Sequence, residues 1–203
     1  MLKLIGIVGD SIAHGFYDAE DSGWVARLGR MMIQAKNGEY IFNNMAQFGD
    51  NVADAYNRAL HEVGSRKFDL IIVNIGINDL RRRKNSDLQL DFSEGARIMY
   101  WQKLLSFLQS TGAKIVVTDL LPVVEEKYTE DASLTRYNSE VVGYNEIIRD
   151  ICATYKVLFF ARYDKWKARD LQTLYQDATH PAAAGHQLLA EEIFEFLQNN
   201  SLL

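Results

Sequence analysis

Four short runs in this chain carry residue types that can do acyl chemistry together: "GDS" (9–11), "NMAQFG" (44–49), "GIND" (76–79) and "DATHP" (177–181). A serine hydroxyl such as that of Ser11 is a weak nucleophile until a base takes its proton. A histidine is the usual base, and a carboxylate fixes its tautomer. His180 and Asp177 supply both. Their three-residue spacing on a turn lets the carboxylate fold back onto Nδ1 and leaves Nε2 to face Ser11. Acyl transfer also needs donors aimed at the developing oxyanion. The backbone N–H groups of Ser11 and Gly49 and the amide of Asn78 are the candidates. Gly49 lets the backbone approach a ligand with no Cβ in the way.

Residues this far apart need a scaffold, and the apolar pattern describes one. Apolar runs at 3–9, 40–46, 69–76, 114–122 and 156–160 read as strands, the first as one buried on both faces and the third as the clearest. Helical spacing connects them. It covers 23–35 (Trp24, Leu28, Met31), 51–64 (Val52, Ala55, Tyr56, Ala59, Val63) and 94–110 (Ile98, Trp101, Leu105, Leu108), with Gly112 as the stop. Two more helices follow, one around Tyr144–Tyr155 and one from about Ala182 to Leu197. Strands alternating with helices predict a parallel sheet covered on both faces, and right-handed crossovers favour a flavodoxin-like order, 2-1-3-4-5. In such sheets function sits at the carboxyl ends of the strands, where all four runs fall. The irregular stretches 80–93 and 121–138 are expected to be loops, the second a mobile flap.

Bulk properties narrow the field. The 203 residues suit a single domain, 1–203, with ordinary globular composition. The net charge of −5 and pI near 5.4 argue against a general nucleic-acid binder. One cysteine, Cys152, excludes an internal disulfide. The apolar start "MLKLIGIVG" is too short for a signal peptide and lacks a cleavage site, and no window is long enough to span a membrane. A cytoplasmic protein is the expectation. Oligomeric state is left open.

In order and separation the four runs resemble the sequence blocks of the SGNH, or GDSL-type, hydrolases, and they span almost the whole chain. The resemblance implies a flavodoxin-like three-layer α/β/α sandwich and a serine hydrolase that cleaves a carboxylic ester, needing no cofactor and no metal. It implies Ser11 as nucleophile, His180 as general base and Asp177 as its orienting acid. The Ser11 N–H, Gly49 and Asn78 would form the oxyanion hole. Two departures bear on the pocket. The nucleophile block continues "IAHG", placing His14 three residues past the serine, and Phe48 precedes Gly49 where a small residue is frequent. His14, Phe48 and Asp10 are therefore the candidates for substrate contact, although a structural role holding the turn suits Asp10 better. No Gly-x-Ser-x-Gly elbow occurs, which disfavours the α/β-hydrolase version of this chemistry.

Other readings compete. His186 reads as a helix-face residue and His61 has no assigned role. Asn74 is expected to bond backbone locally, and Asp79 to cap the turn after the third strand. The basic run "RRRK" (81–84) normally marks a solvated loop, but it leaves the active rim and admits an anionic substrate. Tyr163, Trp166 and Tyr175 either wall the cleft or pack as core. Walling by these aromatics and by Phe48 favours short acyl groups. A lysophospholipase, a thioesterase or an acyltransferase would use the same triad. A non-catalytic binding module is the alternative of another class, but an FMN site would want more Ser and Thr after strand one than Ser11 alone.

Overall fold

The computed structural model describes residues 2–35, 39–83, 90, 92–129 and 133–203. Strands β1 (Lys3–Gly9), β2 (Tyr40–Asn44) and β3 (Leu70–Asn74) sit at the centre and one edge of a parallel sheet. The short helix α1 (Ser11–His14) and then α2 (Gly23–Ala35) follow β1, and α3 (Val52–Glu62) lies between β2 and β3. A two-residue strand β4 (Arg82–Arg83) leads towards α4 (Glu94–Ser110) and β5 (Lys114–Thr118). Another short strand, β6 (Leu134–Thr135), precedes α5 (Asn138–Tyr155) and β7 (Leu158–Phe160). Helices α6 (Tyr163–Lys167), α7 (Leu171–Leu174) and α8 (Ala183–Asn199) close the chain.

The main sheet has five strands in the order β2-β1-β3-β5-β7, the expected 2-1-3-4-5 once the two short strands are set aside. Right-handed crossovers pack α2 against α8 on one face and α3, α4 and α5 side by side on the other, a three-layer α/β/α sandwich. Every residue of β3 is buried, as a central strand covered on both faces requires. Burying each of Ile71, Ile72 and Val73 stabilises the fold by about 1.5–3 kcal/mol. No helix among the described residues is long and apolar enough to cross a membrane.

Two expectations need correction. The last strand begins at Leu158, because Lys156 closes α5 in a left-handed conformation (φ 54°) and turns the chain. The helix after the histidine starts at Ala183 with Ala182 as its cap, within a residue of the expected start, and Pro181 bridges to Tyr175 across the loop. Much of the segment 121–138 is anchored. Val123, Val124 and Arg136 are buried, and β6 pairs antiparallel with β4, joining the two stretches read as loops. That pairing is non-local, so no local pattern announces it.

Candidate active site

The end of β1 fixes Ser11. Asp10 caps α1 by accepting the Ile12 N–H at 2.9 Å, which turns the chain at once from strand to helix. Gly9 makes so tight a turn feasible: a Cβ there would meet the Ala13 Cβ at 2.5 Å and the Asn74 carbonyl at 2.8 Å. Ser11 is the first helical residue, so the helix has no acceptor for its N–H.

Ser11 Oγ lies 2.9 Å from His180 Nε2, and His180 Nδ1 lies 2.8 Å from Asp177 Oδ2. The Asp-Ala-Thr-His turn explains the spacing. Asp177 Oδ1 accepts the backbone N–H groups of Thr179 and His180, both at 2.7 Å, which presents Oδ2 to the ring. With the ring proton on Nδ1, Nε2 is the acceptor for the serine hydroxyl. Partial burial opposes the charge on Asp177. The bonds from the His180 ring and from the His180 and Thr179 N–H groups outweigh it and hold the carboxyl below its ordinary range.

Gly49 follows β2 with φ 78°, a conformation that favours glycine, and lines the same cleft. Asn78 lies in the turn after β3. Its Nδ2 donates to the Asp50 carbonyl at 2.9 Å, and its Oδ1 accepts from Arg136 Nη2 at 2.7 Å. An amide nitrogen has two hydrogens, so one remains for the cleft. Asp79 does not cap the turn, which has no side-chain cap, but ties it to neighbouring helices. Asp79 Oδ1 accepts the Val52 N–H at 2.9 Å, and Oδ2 accepts the Tyr144 hydroxyl at 2.6 Å, which in turn accepts from Trp101 Nε1 at 2.9 Å. Burial pushes the Asp79 carboxyl up to about 6, against the pull of these bonds. Asn74 bonds the Thr118 hydroxyl at 2.8 Å, tying β3 to β5 instead of bonding locally.

These groups open onto a cleft of about 420 Å³ lined by Ser11, Gly49, Asn78, Asp177 and His180. One wall is aromatic. Phe48 and Phe16 line it in edge contact at 5.1 Å, and Phe16 and Tyr17 both stand edge-on to the His180 ring. Arg81, Lys127 and Arg136 line the same cleft. Of the candidates for substrate contact, only Phe48 reaches the cleft. His14, itself exposed, contacts the Phe48 ring, centroids 4.3 Å apart, and Asp10 is buried at the start of α1. Burial pushes the Asp10 carboxyl up to about 7, against the Ile12 N–H, His180 and Arg136, which pull it down.

The aromatic segment 161–176 does not wall the cleft. Trp166 and Tyr175 are core residues, bonded to Glu192 at 2.7 Å and to the Pro122 carbonyl at 2.6 Å, and Tyr163 bonds Asn138 at 3.1 Å. His186 is fully buried, not on an open face. Its Nε2 meets the Phe16 carbonyl at 3.0 Å and its Nδ1 accepts the Trp24 N–H at 3.3 Å, while burial lowers its pKa. His61 is exposed near the end of α3. In the basic run, Arg81 Nε donates to the Asn78 carbonyl at 3.0 Å and Arg82 pairs with Glu140. Lys84 lies outside the described residues. The residues missed in the sequence are Phe16, Tyr17 and Arg136. An aromatic pair five and six residues past a serine was a visible signal for the first two. Arg136 stood in a segment read as a flap.

The sequence matches the GDSL-like lipase/acylhydrolase family over residues 7–188. No curated protein matches it. Among solved structures, the fold is similar to that of the lipase/acylhydrolase from Enterococcus faecalis (18% identity, TM-score 0.77), covering 98% of this chain and 97% of that one. It is also similar to LAE5, an alpha/beta hydrolase from the metagenome of Lake Arreo, Spain (22% identity, TM-score 0.79, 98% and 95% covered). A catalytic mutant of an acetylxylan esterase from Geobacillus stearothermophilus is a third (20% identity, TM-score 0.74, 97% and 93% covered). The family match takes in all four runs on the sheet's rim, and the chain belongs to the GDSL-like lipase/acylhydrolase family, hydrolases acting on ester bonds.

Proposed function

We propose that this protein is a serine hydrolase that cleaves short-chain acyl esters, acetyl esters foremost, through an acyl-enzyme on Ser11. The observation that carries the reading is the unbroken line Ser11 Oγ, His180 Nε2, His180 Nδ1, Asp177 Oδ2, with contacts of 2.9 and 2.8 Å. Ser11 Oγ bonds to the ester carbonyl carbon as its proton passes to His180 Nε2. The carbonyl oxygen becomes an oxyanion facing the N–H groups of Ser11 and Gly49 and the free N–H of Asn78. The C–O bond to the alcohol then breaks, and His180 returns the proton to the leaving oxygen. Water repeats the sequence on the acyl-enzyme, with His180 as base, and releases the acid.

The preference for short acyl groups is supported by Phe16 and Phe48, which narrow the cleft beside Ser11. An acetylxylan esterase among the similar structures agrees with an acetyl-sized acyl site. A series of p-nitrophenyl esters from acetate to palmitate, read against Ser11→Ala, tests both statements. The expected result is turnover greatest for acetate or butyrate and lost in Ser11→Ala. Preference for the long chains would remove the short-acyl assignment. Equal rates in the two proteins would remove Ser11.

A further inference from the structure

Arg136 is buried at 6% exposure, and among the described residues its three hydrogen bonds all go to neutral acceptors: Nε to the Ile77 carbonyl (2.9 Å), Nη2 to Asn78 Oδ1 (2.7 Å) and Nη1 to the Thr179 hydroxyl (3.2 Å). Among the described residues it forms no ion pair. Buried guanidinium groups are normally matched by a carboxylate, because removing the charge from water costs several kcal/mol. Asp10 and Asp79 are the buried carboxyl groups of the neighbouring strand ends, and neither is within salt-bridge reach. The cation is thus held by one loop bearing a candidate oxyanion donor and another bearing the candidate base.

We propose that Arg136 is a positioning residue of the oxyanion site, acting through Asn78, and that its missing counter-charge is the one that develops on the substrate carbonyl oxygen. The kinetic part of this inference rests on the ester-hydrolase reading. An asparagine amide has two orientations that differ by exchange of O and N. Arg136 on Oδ1 and the Asp50 carbonyl on Nδ2 fix the one that turns an N–H to the cleft. A full positive charge on Oδ1 polarises the amide and strengthens that N–H as a donor. The arrangement exists before substrate arrives, so no reorganisation accompanies the reaction. Thr179 on the same guanidinium, also bonded to the Tyr128 hydroxyl at 3.2 Å, ties the amide to the His180 loop.

The test is a double-mutant cycle on p-nitrophenyl acetate with wild type, Arg136→Met, Asn78→Ala and the double variant, with Arg136→Lys as a milder change. Thermal unfolding checks that each is folded. Arg136→Met is expected to lower kcat on the order of 10- to 100-fold with KM within about threefold, the signature of an interaction made in the transition state. Arg136→Lys keeps the charge and should retain part of the rate. In the Asn78→Ala background the Arg136 change should cost less than about threefold, since its route is gone. Fully multiplicative losses, an effect on KM alone, or an unchanged kcat would overturn the proposal. The esterase reading fails separately, if wild type is no faster than Ser11→Ala. The placement of the amide is then decided by NMR of the Asn78 side-chain N–H signals, identified by their absence in Asn78→Ala. Arg136→Met should shift them and speed their exchange with water. Unchanged signals would overturn the role of Arg136 whatever the reaction.

Discussion

Asp10 is the residue whose environment is most at odds with its charge. It is buried next to Ser11 with one backbone donor and, among the described residues, no salt bridge, and its carboxyl is pushed up to about 7. For an acid raised in the folded state, the native protein holds a proton that the unfolded chain has released. Stability from this group is therefore full below the unfolded value of about 4 and is lost as pH rises towards 7. Asp10→Asn keeps the cap acceptor without the charge. Its stability relative to wild type should rise between pH 4 and 7, read as the difference between urea midpoints. A constant difference across that range would show that Asp10 is not raised. On the proposed mechanism, Asp177→Asn should keep the fold and lower kcat on the order of 10⁴-fold, because Nδ1 then faces an amide and the tautomer is no longer imposed.

Two elements hold the site in register. Gly9 lets α1 start directly against the end of β1. Gly9→Ala should displace α1 and with it Ser11, costing about 1–3 kcal/mol of stability and on the order of 100-fold in kcat. Normal activity in this variant would mean that the close approach does not set the serine. The turn after β3 depends on the chain Trp101–Tyr144–Asp79–Val52, which binds it to α4, α5 and α3. Tyr144→Phe leaves a buried indole N–H and a buried carboxyl oxygen short of a partner. Urea unfolding should show a loss of about 2–4 kcal/mol, and a loss near zero would remove the chain as a support of the Asn78 turn.

Across the whole molecule, what was legible in the sequence is what local pattern encodes. The strand holding Ile71 to Val73 is a continuous apolar run because both its faces are covered. The DATH turn is equally local, since Asp177 bonds N–H groups two and three residues on. What was hidden depends on contacts made by distant segments. His186 looked like a face residue because its partners, Trp24 and Phe16, come from the other end of the chain. Arg136 looked like part of a flap because β4, Ile77 and Asn78 anchor it from outside its own segment. Trp166 and Tyr175 suited cleft and core equally until Glu192 and Pro122 were seen to take their polar atoms. Packing of the sandwich as a whole predicts that Cys152, buried on α5 with its thiol pushed up to about 12, reacts with a disulfide reagent only when the fold opens. Labelling in the native state should be slow and should accelerate with urea. Rapid native labelling would contradict the packing of α5.

The most direct test of the central claim is the mass of the intact protein after treatment with an alkyl fluorophosphonate, followed by peptide mapping. The predicted result is one covalent adduct, on Ser11, absent in Ser11→Ala and strongly slowed in His180→Ala. An adduct on another residue, or none while the protein still hydrolyses esters, would contradict the assignment of Ser11 as the nucleophile activated by His180.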